Sequence, residues 1–290
     1  MGRSRLTKKR TVFEESDEVT QKLPIKNYVP VFKCCENVSV SNNPPYQSSS
    51  STNIKSFHTW KFGTLNIRSG KEKLEGAKMY SIVKEIARAN LSFCCLQEVR
   101  HRNQGKKLIE LDNGKRYNFL WCGKKKRREA GVGILIRAER GIRFSEPDFN
   151  NPRVMALNIN IHGFKIRVVI GYSPTNVSDS EAMKDEFYRN LKKACDNCPK
   201  HHKLIVTGDF NAETSIAHSK TEFDGKIIVD EICNENGLRL KSFSRLFKFC
   251  MPQSFFDKPP INRLTWYSND GKTAKILDHV MVQRFVNQYY

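Results

Sequence analysis

Five polar side chains stand where apolar runs of this sequence stop. Asn66 closes the run that begins near residue 58, and Glu98 follows Leu96-Gln97. Asp209 and Asn211 follow the run Leu204–Thr207, and Asp278 marks the last one. Carboxylates and amides gathered at one rim would suit a hard cation such as Mg²⁺, which takes oxygen ligands and keeps several waters; Mn²⁺ could serve in its place. Such a cation stabilises charge on a phosphodiester and helps to generate an attacking hydroxide. Singly, each residue has a plainer explanation: Asn or Asp after a strand is a common turn former, and a Gln-Glu pair is usually solvated. The joint occurrence carries the reading.

The elements that would position them follow from periodicity. His58–Ile67 reads as a buried strand, and Met79, Ile82, Val83 and Ile86 share one helical face. Leu91–Leu96 is a short apolar strand. Tyr117–Cys122 and Val132–Ile136 are strands joined by a turn that carries Lys124, Lys125, Lys126, Arg127 and Arg128. Val154–Ile161 and Phe164–Ile170 flank His162-Gly163 as a tight hairpin. Asp179–Cys195 is a helix with Phe187 and Leu191 on one side, and Leu204–Thr207 is a strand running into Gly208-Asp209-Phe210-Asn211. Arg263–Tyr267 and Ile276–Val282 read as strands around the turn Asn269-Asp270-Gly271. Hairpins mixed with helical connections imply an α/β domain of two packed, antiparallel-rich sheets with helices outside. Residues 1–55 differ: Pro24, Pro30, Pro44 and Pro45 interrupt any period, and Gln47–Asn53 is polar low complexity. That stretch reads as a disordered basic, Ser-rich tail, and 56–290 as one domain.

Charge narrows the partner. The 290 residues hold 50 Lys and Arg against 30 Asp and Glu, a net charge of +20. Residues 100–143 hold 14 basic and 4 acidic residues, so half of that excess sits in one stretch. A polyanion is implied, and the Lys124–Arg128 cluster would contact phosphates. Trp266 and Tyr267 could stack on a base or sugar; for Trp266 a place in the core is the favoured alternative. No apolar run approaches the roughly 18 residues of a membrane helix. The start MGRSRLTKKR has no apolar segment behind it, which argues against secretion, and Leu6 argues against myristoylation of Gly2. Lys8-Lys9-Arg10 could belong to a nuclear import signal, with a solvated tail as the default reading, and the nucleus is expected over the cytoplasm. Nine cysteines without a secretory signal read as reduced thiols. Cys195, Cys198, His201 and His202 are crowded at one helix end without a distant second ligand pair, so the reading is thiols and surface histidines, not zinc.

Seven blocks carry a resemblance: Thr64-Leu65-Asn66-Ile67-Arg68, Leu96-Gln97-Glu98-Val99-Arg100, Gly131-Val132-Gly133-Ile134, Gly171-Tyr172-Ser173-Pro174, Gly208-Asp209-Phe210-Asn211-Ala212, Thr265-Trp266 and Ile276-Leu277-Asp278-His279. In this order, over about 58–283, the chain resembles the endonuclease/exonuclease/phosphatase family. Within it the likeness is to the apurinic-type endonuclease domain of non-LTR retrotransposons and to craniofacial development protein 2-like sequences. The resemblance implies a four-layer α/β sandwich that cleaves phosphoesters with a divalent metal, here a DNA-nicking endonuclease. By the same resemblance, Glu98 is the principal metal ligand with Asn66 beside it. Asp209 orients or deprotonates the attacking water, and Asn211 holds the phosphate or that water. Tyr172 contacts the scissile phosphate or its leaving group, and Asp278 fixes a catalytic histidine.

One departure sets the alternatives. The family pattern continues into a Ser-Asp-His block on a further strand, whereas 12 residues follow Asp278 here. The expectation is therefore a set lacking that histidine and the last core strand, with an open sheet edge. His279 is not expected to substitute, because neighbouring strand residues face opposite ways. The alternatives are a phosphatase or phosphodiesterase of the same fold acting on another phosphoester, and a catalytically dead nucleic-acid-binding remnant.

Overall fold

The structure, a computed structural model, describes residues 60–67, 77–126, 130–175, 179–214, 233–255, 259, 262–268 and 270–283. The expected tail, 1–55, lies outside them. Strand β1 (Phe62–Asn66) is followed by helix α1 (Ala77–Arg88), β2 (Phe93–Gln97), β3 (Gln104–Glu110), β4 (Arg116–Cys122) and β5 (Val132–Arg137). Next come β6 (Ile142–Phe144), β7 (Asp148–Asn151), β8 (Val154–Ile161), β9 (Phe164–Tyr172), α2 (Glu181–Asp196) and β10 (Lys203–Asp209). The last elements are α3 (Glu235–Leu246), β11 (Phe249–Cys250), a 3₁₀ turn at Pro252–Ser254, β12 (Trp266–Tyr267), β13 (Ala274–Lys275) and β14 (Asp278–Gln283).

The strands form two mixed sheets. One runs β1-β2-β5-β4-β3, and the other β11-β14-β10-β9-β8-β6 with β7 on β8. Only β1 with β2 and β9 with β10 pair in parallel within these sheets. Alternation along each strand decides which neighbour a side chain meets. Phe62, Phe93, Ile134, Met155, Leu157, Val168, Ile205 and Val280 fill the space between the sheets. Leu65, Cys94, Leu96 and Leu135 turn the other way, onto Met79, Ile82, Val83 and Ile86 of α1. Val169, Val206 and Met281 pack against Phe187 and Leu191 of α2 and Leu240 and Phe243 of α3. The result is helix, sheet, sheet, helices: the expected four layers.

Several sequence expectations change in detail. Strand β12 pairs with β13 and not with β14, which instead lies in the large sheet beside β10; Asn269 of the expected turn lies outside the described residues. Periodicity did not reveal β3, β6, β7 or α3. Strand β11 lies along part of β14, pairing Cys250 with Val282 and Phe249 with Gln283, on the side the sequence suggested would be open. At His162-Gly163 both residues have positive φ, 51° and 95°, which fits the expected two-residue hairpin.

Candidate active site

The same alternation that builds the inter-sheet core delivers the polar residues. On β1, Phe62 lies in the core between the sheets, so Thr64 and Asn66 share its face. On β10, Ile205 is followed on that face by Thr207 and Asp209; on β9, Ile166, Val168 and Ile170 are followed by Tyr172. On β14, Asp278 shares the face of Val280. Register puts Asp209 opposite both Tyr172 and Asp278. Polar ends of four apolar strands therefore meet at one end of the sandwich.

Contacts there join the two sheets. Asn66 Nδ2 donates to Glu98 Oε1 at 3.0 Å and to Asp209 Oδ2 at 2.8 Å. Glu98 follows β2 at φ 54°, a turn out of the strand. Its Oε2 lies 2.6 Å from Arg100 Nη2. Tyr172 hydrogen-bonds Glu98; burial first, then the charges of Glu98 and Asp209, holds its phenol well above the usual tyrosine range. It is therefore a neutral hydroxyl at physiological pH. Arg153 stacks 5.1 Å from the Tyr172 ring centre and donates from Nη1 to the Tyr172 carbonyl.

The turn after β10 is fixed at each polar point. Gly208 and Gly171 are register partners, and a Cβ on Gly208 would fall 1.9 Å from the Gly171 carbonyl oxygen, at φ 152°. Asn211 sits at φ 47°, a conformation that asparagine tolerates better than most residues. Its backbone N–H donates to Asp209 Oδ1 at 2.9 Å, and its Nδ2 donates to the Ser173 carbonyl at 2.9 Å. Thr265 Oγ1 accepts from the backbone N–H groups of Leu277 and Asp278 at 2.9 and 3.0 Å.

His279 faces away from this cluster, as strand alternation required. Its Nε2 lies 2.7 Å from the Ala212 carbonyl and its Nδ1 3.1 Å from Gln253 Nε2. A carbonyl can only accept, so Nε2 carries the proton and Nδ1 accepts from Gln253. Burial pushes the His279 pKa down to about 4.

Of the sequence candidates, Asn66, Glu98, Tyr172 and Asp209 are brought into one hydrogen-bonded cluster, with Asn211 bonded to Asp209 and Asp278 opposite it. Val132 pairs with Gln97 and with Cys122, so the basic β4–β5 connection starts at the same sheet end as Glu98. Lys125 and Lys126 are exposed there, Lys124 half-exposed; Arg127 and Arg128 lie outside the described residues. Trp266 is half-buried on β12, outside the three core clusters rather than within them. Cys195 is a core residue in the last turn of α2, and Cys198 Sγ lies 3.7 Å from the His202 carbonyl. Sequence reasoning gave no role to Arg153, whose approach to Tyr172 depends on the β8–β9 register, or to Asn234 and Asn236. The signals for those two were present: an Asn cap followed by Leu240 and Phe243 at helical spacing.

A model of the endonuclease/exonuclease/phosphatase family matches residues 63–287. The chain belongs to that family. It is similar to craniofacial development protein 2 of Bos taurus and of Tragulus javanicus, 23% identical to each over 222 residues. Those matches cover 77% of this chain and 36% and 37% of the relatives, so the chain spans just over a third of their length. The family fold is also seen in the catalytic domain of Xenopus laevis APE2 (TM-score 0.51, 13% identity, 77% of this chain and 82% of that one). An AP endonuclease from Archaeoglobus fulgidus gives a TM-score of 0.50 at 17% identity, over 77% of this chain and 84% of the other. The endonuclease domain of TRAS1, a telomere-specific non-LTR retrotransposon, gives 0.49 at 13%, over 78% and 85%. No helix among the described residues is long and apolar enough to cross a membrane.

Proposed function

We propose that the chain is a divalent-metal-dependent phosphodiesterase that nicks DNA at the Asn66–Glu98–Asp209 cluster. The observation that carries this reading is the Asn66 amide, donated to two carboxylates from opposite sheets beside a basic loop. The donor set suits Mg²⁺: Glu98 offers anionic oxygens and Asn66 an amide oxygen, the hard ligands this ion takes while keeping most of its water. Mn²⁺ accepts the same ligands. Among the described residues no three His, Cys, Asp or Glu side chains lie close enough to hold a metal by themselves. When bound, the cation would neutralise phosphate charge and acidify water.

The chain's own groups do the rest. Asp209, held by donors on both oxygens, accepts the proton of the attacking water as that oxygen bonds to phosphorus; the opposite P–O bond breaks, and the leaving sugar oxygen keeps its electron pair and takes a proton from solvent. Tyr172, kept protonated by its burial, donates a hydrogen bond to a phosphate oxygen. The Asn211 turn holds the same phosphate or the water beside it. Asp278 lies opposite Asp209 in the β10–β14 register, in the place that the resemblance gives to the aspartate fixing a catalytic histidine. Lys124, Lys125 and Lys126 contact flanking phosphates, which makes binding salt-dependent. DNA is the favoured polymer because the basic loop and the cluster share one end of the sandwich.

The test is nicking of supercoiled plasmid by the purified chain in Mg²⁺, with EDTA as control and a small phosphomonoester as rival substrate. Relaxation of plasmid that EDTA abolishes is expected. Hydrolysis of the small ester with intact plasmid would overturn the DNA assignment.

A further inference from the structure

Helix α3 begins beside the Asp209–Asn211 turn and reaches it with two side chains. Asn234 caps the helix: its Oδ1 accepts from the Gly237 N–H at 2.8 Å and from the Glu213 N–H at 3.1 Å. An aspartate or serine would cap as well. The asparagine amide adds a donor, and Nδ2 lies 3.1 Å from the Asn211 carbonyl and 3.2 Å from Glu213 Oε1. Two residues on, Asn236 is fully buried, and its Nδ2 donates to the Pro174 carbonyl at 2.9 Å and lies 3.4 Å from the Asn211 carbonyl. A buried asparagine in a helix's first turn is costly unless its hydrogen bonds are needed. Both amides converge on one carbonyl, that of a non-glycine residue at φ 47°.

The other end of this contact is rigid. Leu240 and Phe243 anchor α3 in the core, and Lys184 of α2 bonds Glu235 at 3.0 Å and Glu181 at 2.8 Å while almost wholly buried. Arg239 adds ion pairs to Glu181, Asp185 and Glu235. A left-handed residue persists only where its surroundings over-determine it. Here the surroundings are the Asp209 carboxylate, the Ser173 carbonyl and the two asparagines.

We infer that Asn234 and Asn236 are positioning residues: they hold the Asn211 carbonyl, and through the Asn211 N–H they set the Asp209 carboxylate. This rests on the reading of Asp209 as the base, and the experiment separates the two.

Asn234→Ser keeps a good cap and removes the second donor, so the helix and the fold should persist; Asn236→Ala removes the other. Two readouts are taken on each: hydrogen exchange at the Asn211 amide, and kcat and KM for plasmid nicking. The expected result is exchange at Asn211 faster by about tenfold while β10 stays protected, with kcat down about tenfold or more and KM within about twofold. Unchanged Asn211 exchange in a cooperatively melting Asn234→Ser protein would overturn the inference, and so would unchanged kcat. A wild-type chain that does not nick would overturn the functional reading instead, while the exchange measurement still decides whether the asparagines hold the turn.

Discussion

Asn66 Nδ2 lies 3.0 Å from Glu98 and 2.8 Å from Asp209, so one amide bridges carboxylates of two different sheets. Two carboxylates this close to one donor would otherwise repel each other in a partly buried site. Asn66→Ala removes the bridge, and turnover is expected to fall by roughly 100-fold, the scale of losing one preorganised donor. Plasmid nicking by the variant measures it; wild-type turnover would show that the bridge has no part in the chemistry.

Arg100 stands 2.6 Å from Oε2 of Glu98, the carboxylate proposed to hold the cation. It is about one-third exposed, so the ion pair is worth little to folding. Arg100→Gln is expected to bind Mn²⁺ more tightly by roughly three- to tenfold, since the cation no longer competes with a guanidinium. Calorimetric titration of the folded variant reads this directly. Weaker or unchanged binding would mean that Arg100 does not compete for Glu98.

Buried, neutral His279 makes stability depend on pH. Its folded pKa, about 4, lies below the ordinary 6.5, so the unfolded chain takes up the proton first. The contribution is therefore complete above pH 6.5 and is lost as the pH falls from there towards 4, up to about 3 kcal/mol. Burial and nearby positive charges shift His202 in the same direction, so the comparison must isolate His279. Thermal melts of wild type and His279→Gln between pH 7.5 and 4.5 should converge on acidification. Parallel curves would contradict the assignment.

Gly208 cannot carry a side chain, because the Gly171 carbonyl occupies the place of its Cβ. Gly208→Ala is expected to cost about 3 kcal/mol or more, against about 1 kcal/mol for Gly163→Ala, whose added Cβ meets nothing within 4 Å. Urea melts of the two variants decide it, and equal losses would refute the close approach of β9 and β10.

Much of the site was legible because strand alternation is a strict rule. Knowing that Ile205 and Val280 point inward is enough to send Asp209 and Asp278 to the same side and His279 to the other. Asn66 and Asp209, 143 positions apart in sequence, were linked only as strand ends and through the ordered blocks around them. What stayed hidden is what depends on register or on weak local signals. Strand β3 is exposed and polar along almost its whole length, so no apolar period marks it. Strand β12 and β13 have two residues each and take their pairing from the turn between them. Helix α3 buries Asn236, Gly237, Lys241 and Ser244 beside Leu240 and Phe243, which dilutes its period, and with it the roles of Asn234 and Asn236 were lost.

The most direct test of the account is plasmid nicking by Asp209→Asn, which keeps the side-chain shape but removes the carboxylate proposed as the base. A folded Asp209→Asn protein that binds DNA as the wild type does and nicks at least about 100-fold more slowly in Mg²⁺ is the predicted result. Nicking at the wild-type rate would contradict it, and would move the chemistry away from the Asn66–Glu98–Asp209 cluster.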